Sequence, residues 1–219
     1  MTTLTPPASS FALRLKDATR PAHEDAEGSS FVGDLLEGRL GRDAYADLLT
    51  QTYLLYDVLE RAVAAQADHP QVQAFVMPEL VRLPSLAADL AFLRGEGWRE
   101  ALAPLPATAR YVERLQAVAF DRPAALVAHH YLRYLGDLSG GQIIRRLLGR
   151  VHGLETDGVR FYIFDGVPKV KPFRDAYRDA LDASFPDRAD QAELIDEAIL
   201  GFGLNRDVFT DLAALHPVR

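Results

Sequence analysis

Apolar residues recur along the chain at the three-and-four spacing of amphipathic helices, and prolines and glycines break the runs apart. Phe11, Leu13, Leu15, Ala18 and Ala22 begin a first helix. Pro21 falls in its later part, where a missing donor and a clash one turn back predict a kink. Ser29 or Ser30 is placed to cap a short second helix ending at Leu36. From Arg42 to about Asp68 the period is long and strong, through Tyr45, Leu48, Leu49, Thr52, Tyr53, Tyr56, Leu59 and Val63. Further helices fit residues 86–94, 108–120, 123–150, 173–184 and 187–215. Gly38, Gly41, Gly149 and Gly153 stand where helices should stop. The run 159–164 has strand composition but no visible partner strand, so an extended loop is expected. With no repeat and no linker, the pattern predicts one all-α domain of roughly seven to nine helices.

One segment breaks the helical rules. Gly136, Gly140 and Gly141 lie in the middle of the helix at 123–150, with apolar residues continuing on both sides. Each helical glycine costs about 1 kcal/mol relative to alanine, so three cost roughly 3 kcal/mol. A local rule broken without an evident gain in stability marks a functional site. At about 100° per residue, Arg133, Gly136, Asp137, Gly140 and Gly141 share an arc of roughly 140°. Tyr131, Leu135 and Leu138 point away from it. The helix therefore offers a strip of bare backbone edged by one carboxylate and one guanidinium. Close helix–helix packing is one explanation. A flat ligand lying on the strip fits better, because charged groups share it and Gly141 adds a freedom that packing does not need.

Composition narrows the partners. The chain has 219 residues, 48% apolar and 25% charged, an ordinary globular balance. Cysteine is absent, which excludes disulfides, thiolate metal sites, cysteine nucleophiles and covalent heme attachment. A formal charge of -7 argues against nucleic acid as a partner. No secretory signal and no apolar run near the ~20 residues of a membrane span is visible, so a cytoplasmic protein without a membrane anchor is expected. Phosphate-binding loops, nucleophile elbows, Glu-x-x-His pairs and two-histidine zinc helices are all missing from the sequence.

Of six histidines, His69 and His216 precede prolines and read as solvent residues, and His152 reads as a cation at a helix exit. His129 and His130 read as hydrogen-bonded core residues. His23 has Glu27 four residues later on the same face. Alone, that is a surface pair; opposite a bare strip, it is also the arrangement of a metal-bound imidazole steadied by a carboxylate. Lys16, two turns before His23, would meet an acidic group on a ligand bound there.

At this point the chain resembles a heme oxygenase of the soluble bacterial type. Arg133-Tyr134-Leu135-Gly136-Asp137-Leu138-Ser139-Gly140-Gly141-Gln142 is similar to the signature of that family's distal helix. Leu15-Lys16-Asp17-Ala18-Thr19 followed by Ala22-His23 is similar to its proximal helix. Supporting matches include residues 53–56, 111–115, Tyr177-Arg178, and Phe202 with Asn205 and Phe209; the similarity spans about residues 11–213. The resemblance implies a single-domain multi-helix fold over 11–215, after a flexible segment at 1–10, with heme sandwiched between a proximal helix and a kinked distal one. It implies His23 as the iron ligand, with Glu27 behind it. Gly136 and Gly140 would touch the porphyrin and the bound oxygen, with Gly141 beside them. Asp137 would anchor a water network supported by Arg133, Tyr56 and Asn205. Lys16, Tyr131, Arg174 and Arg178 would hold the propionates, and Phe202 and Phe209 would line the apolar part. Without the family match, Arg174 and Arg178 read as a solvated basic face.

The activity implied is oxidative cleavage of heme b, at once cofactor and substrate, by O2 to biliverdin, CO and Fe2+, for iron acquisition or bilin supply. Electrons would come from a ferredoxin or a flavin-dependent reductase, because the chain has no flavin or nicotinamide motif; Lys16, Arg20, Lys169 and Lys171 are candidate docking contacts. A monomer is expected. The rival readings are a heme carrier or sensor that does not turn over, and a small-molecule enzyme of a related helical fold. Asp137 and the glycine pair speak against a carrier, which needs no proton delivery.

Overall fold

A computed structural model describes residues 10–218, apart from the side chain of Glu27. The segment expected to be flexible lies outside the described residues except for Ser10. The Ser10 hydroxyl accepts from the Leu13 N–H at 3.3 Å and so caps the first helix. Nine α-helices follow among the described residues: α1 Phe11–Glu27, α2 Ser30–Leu36, α3 Arg42–Ala65, α4 Leu83–Arg94, α5 Pro106–Val118, α6 Pro123–Ser139, α7 Gly141–His152, α8 Val170–Ser184 and α9 Arg188–Leu215. No strand occurs among them, and no helix is long and apolar enough to cross a membrane.

Several boundaries follow from local chemistry. Pro84, Pro106 and Pro123 sit in the first turn of α4, α5 and α6, where a missing N–H costs nothing. The first two helices therefore begin two or three residues before the positions expected from period alone. Asp187 caps α9 by accepting from the Ala189 N–H at 2.7 Å. Gly153 closes α7 in the left-handed conformation, with φ of 67°. Gly149 lies inside α7 and Gly41 begins α3, so neither ends a helix. Pro21 lies within α1, which continues past it to Glu27. The helix expected over 123–150 is two helices that part at Gly140.

The core is one layer of helices on another. α6 and α9 lie against each other, α1 packs on α9, and α3 packs on α4 and α5. At the α6–α9 crossing a Cβ on Gly201 would collide with Leu132 and sit 3.1 Å from the His129 ring. This close approach brings Glu197, one turn earlier on α9, to His129 at 2.9 Å. His129 has no exposed surface. Burial lowers its pKa and keeps it neutral, so one ring nitrogen donates to Glu197 and the other accepts from the Tyr111 hydroxyl at 3.1 Å. Arg114 adds a donor to Glu197 at 3.0 Å. His130 is also a core residue, bonded to Tyr177 at 2.8 Å. Two other histidines differ from expectation. His216 pairs with Asp47 at 2.7 Å and joins the end of α9 to α3. Burial, with Arg42 nearby, lowers the His152 pKa, which disfavours the cation expected at that helix exit.

Burial alone would raise the Glu197 carboxyl, but hydrogen bonds from His129 and Arg114 outweigh it and hold it at about 2. A folded value below the unfolded one, about 4.3, contributes stability that is present above that pH and lost as pH falls toward the folded value. The size is about 3 kcal/mol. Glu197→Gln should therefore be the less stable protein at pH 7, and the gap in urea unfolding should close as the pH is lowered toward 2. A gap that stayed constant with pH would show that the carboxylate is not the stabilising group.

Candidate active site

The bare strip faces a cavity of about 360 Å³, within the ~300–1,000 Å³ of small-molecule sites. α1 contributes His23 and Ala26; α9 contributes Phe202, Asn205, Val208 and Phe209. Leu132, Arg133, Gly136, Asp137 and Gly140 line the side formed by α6 and the break that follows it. The cavity is otherwise closed by apolar side chains of α2, α3 and α7, and by Phe161 and Tyr162.

The glycines divide into two kinds. A Cβ on Gly136 would meet nothing within 4 Å, and one on Gly140 would meet only the Gly136 carbonyl at 3.5 Å. No neighbouring helix fills the strip, so close helix packing does not explain these two. Gly141 differs. Its Cβ would lie 2.6 Å from the Tyr162 ring, so packing requires this glycine, contrary to the sequence expectation. Gly141 is buried and also lines the cavity.

His23 lies on α1 with its ring edge-on to Phe202, centroids 5.3 Å apart. Among the described residues no group of three or more His, Asp or Glu could hold a metal ion. Glu27, expected behind His23, has its side chain outside the described residues.

The two charged groups on the α6 side are each held by a hydrogen bond from or to a neighbouring helix. The Tyr56 hydroxyl donates to the Asp137 carboxyl, and Arg133 donates to Asn205 at 2.7 Å. The Arg133 guanidinium also lies 5.3 Å from the centre of the Tyr56 ring. Its Nε is buried with no hydrogen-bond partner, a donor left for another occupant of the site. Burial raises the Asp137 pKa, and the Arg133 charge and the Tyr56 hydroxyl only partly offset it. The result is a carboxyl that takes up a proton more readily than usual, held by fixed partners beside empty space.

The structure brings His23, Arg133, Gly136, Asp137, Gly140, Gly141, Asn205, Phe202 and Phe209 to one cavity. Tyr56 reaches it only through Asp137. Lys16, Tyr131, Arg174 and Arg178 do not line it. Tyr131 borders it, packed with Ala26, Leu132 and Phe202. Burial raises the Tyr131 phenol, and Arg178 and Arg174 are among the groups that oppose this, so both cations lie within electrostatic reach. Arg178 also donates to Asp175 at 2.9 Å, and Lys16 is exposed. Sequence reasoning missed the wall from α2 and α3, including Leu35, Leu48, Thr52 and Leu55, because their period marks them only as core. It also missed Phe161 and Tyr162. Their run is not an extended loop: Arg160–Tyr162 is one 3₁₀ turn, and its unpartnered apolar composition was the available signal.

The chain is similar to known proteins. A family model described as heme oxygenase matches residues 9–211. Heme oxygenase 1 of Synechocystis sp. is 36% identical over 202 residues, covering 92% of this chain and 84% of that protein. The crystal structure of heme oxygenase-2 from Synechocystis sp. PCC 6803 in complex with heme and NO superposes with a TM-score of 0.90 at 36% identity, covering 94% of this chain and 86% of that one. That of heme oxygenase-1 from the same cyanobacterium in complex with heme gives 0.89 at 35% identity, with 94% of each chain covered.

The two kinds of glycine are separable by stability. Gly136→Ala should leave the ligand-free protein as stable or raise it by up to about 1 kcal/mol, the helix-propensity gain. Gly141→Ala should cost about 1–3 kcal/mol through overpacking against Tyr162. Thermal unfolding of both variants without ligand checks this; equal destabilisation would mean that the strip is a packing surface.

Proposed function

The chain belongs to the heme oxygenase family, and we propose that it holds heme between His23 and the backbone strip at 136–140. It is an enzyme that uses O2 and externally supplied electrons to cleave heme to biliverdin, CO and Fe2+. The observation that carries the site is the empty space over Gly136 and Gly140 opposite an imidazole. A flat macrocycle with a central metal needs one wall without projections, a donor facing it from the other, and an apolar rim. The cavity offers these, with an orphaned guanidinium nitrogen at its polar side.

Bound heme supplies the iron at which oxygen is activated, and the protein positions the ring and governs protons. His23 would hold the iron. Phe202 and Phe209 hold the ring's apolar part. Lys16, Tyr131, Arg174 and Arg178 would hold its carboxylates at the border beside Tyr131 and so orient it. Gly136 and Gly140 leave room for ordered water instead of a side chain. Asp137 would orient that water and exchange a proton with it. Tyr56 holds the carboxyl in place. Asn205 holds Arg133, whose charge limits how far burial raises Asp137.

The reaction requires an electron donor. We read this as a separate ferredoxin or flavin-dependent reductase, since the sequence carries no motif for either cofactor. We read the working unit as a monomer. The composition and the absence of a spanning helix among the described residues support a cytoplasmic enzyme.

Hemin titration followed by turnover with a chemical reductant in air tests the reading, with biliverdin and CO as products. His23→Ala should weaken hemin binding and change its ferric spectrum. Asp137→Ala should keep hemin yet lower the biliverdin rate by about 100-fold, a typical general-acid contribution. An unchanged spectrum in the first variant would remove His23 as ligand, and full biliverdin yield in the second would remove the carboxyl from the mechanism.

A further inference from the structure

Asp89 is a carboxylate on α4 with no exposed surface, outside the cavity. Its two oxygens accept from main-chain donors, the Arg160 N–H at 2.9 Å and the Phe161 N–H at 2.8 Å. Burial raises its pKa to about 6, so holding it ionised at neutral pH is costly. Main-chain hydrogen bonds offset part of that cost. What the side chain grips is the 3₁₀ turn Arg160–Tyr162.

The same turn is held from its carbonyl side. Tyr45 donates to the Gly158 carbonyl at 2.9 Å and Arg82 donates to the Ile163 carbonyl at 2.7 Å. Both side chains are buried. Three buried polar groups from α3, the segment before α4, and α4 itself thus fix a stretch of six residues. That stretch carries two side chains to the cavity. The Phe161 ring meets the Tyr56 ring edge-on at 5.5 Å. The Tyr162 ring sits under Gly141, where it leaves no space for a Cβ. The Gln142 side chain then ties α7 to the turn, donating to the Tyr162 carbonyl at 2.8 Å. The turn stands as a post under the first residues of α7, immediately after the helix parts at Gly140.

We propose that Asp89 is a positioning residue for the glycine strip: it holds the Arg160–Tyr162 turn, and the turn sets where α7 leaves Gly140 and how far the strip stands from His23. The proposal rests on the reading of the cavity as the heme site. It assigns Asp89 no contact with heme. An asparagine at 89 keeps the shape but accepts at one oxygen only, so one main-chain donor of the turn faces an amide donor instead of an acceptor. The loosened turn then no longer braces Gly141.

Amide hydrogen exchange on the ligand-free full chain reads this directly. Asp89→Asn should speed exchange by about tenfold or more at 158–163 and at 136–144, with α5 and α9 keeping wild-type protection. Gln142→Ala cuts the tie above the turn and leaves the buried carboxylate alone. It should loosen 136–144 while 158–163 stays protected, and it decides the matter if Asp89→Asn does not fold. With hemin bound and reduced under carbon monoxide, both variants should shift the CO stretching band, which reports the surroundings of the distal side. Loosening confined to 158–163, or spread evenly over all helices, overturns the proposal, as does an unchanged 136–144 in Gln142→Ala. Hemin titration of the wild-type protein is a separate arm: failure to bind would overturn the site reading, while the exchange pattern would still judge the brace.

Discussion

The structure turns on the two fates of neighbouring glycines in one interrupted helix. At Gly141 the missing side chain is filled by the Tyr162 ring, which fixes α7 on its support. At Gly136, and nearly so at Gly140, nothing fills the gap. The first glycine serves packing, and its rigidity lets the other two stay open. Were α7 free to sink toward α1, the 360 Å³ cavity would close, since interiors pack densely and empty apolar space is unfavourable. The turn at Arg160–Tyr162 prevents that, and the open side receives His23 from α1.

Electrostatics follows a similar division. Asp89 and Glu197 are both buried carboxylates outside the cavity, and each holds elements together. Glu197 has its own cation and a histidine N–H, and is driven far toward the ionised form. Asp89 has main-chain donors, and burial leaves it close to the balance point. Asp137 is the carboxyl that faces the cavity. It too is raised by burial; one phenol bonds it, and the charge of a guanidinium anchored on Asn205 partly offsets the burial. Its partners are fixed while the space in front of it is free, which suits a group that exchanges protons with water. The orphaned Arg133 nitrogen marks where that polar edge expects an occupant.

The fold class and most helices were legible because hydrophobic period is a local property. Phe11 and Arg42 begin their helices, and Leu215 ends its own, where the pattern places them. The run from Arg133 to Gln142 was legible as a functional site because it departs from local preference, and the family because that run resembles its distal-helix signature. Less legible was anything that depended on a distant partner. The run at 159–164 has strand composition, yet it is a 3₁₀ turn because Asp89, Arg82 and Tyr45 satisfy its backbone. His216 looks like a solvent residue until α3 brings Asp47 to it.

The sequence by itself determined that the chain is helical, that a backbone strip with Arg133 and Asp137 lies on one face, and that His23 is the histidine set apart. Only the tertiary structure decided that Gly136 and Gly140 face empty space while Gly141 faces a ring. It also decided that Leu48, Thr52 and Leu55 are cavity wall and not plain core, and that Tyr131 stands at the border and not inside. The physical reason is that a residue's periodicity reports only which way it points. What it meets there depends on residues tens or hundreds of positions away, brought close by packing.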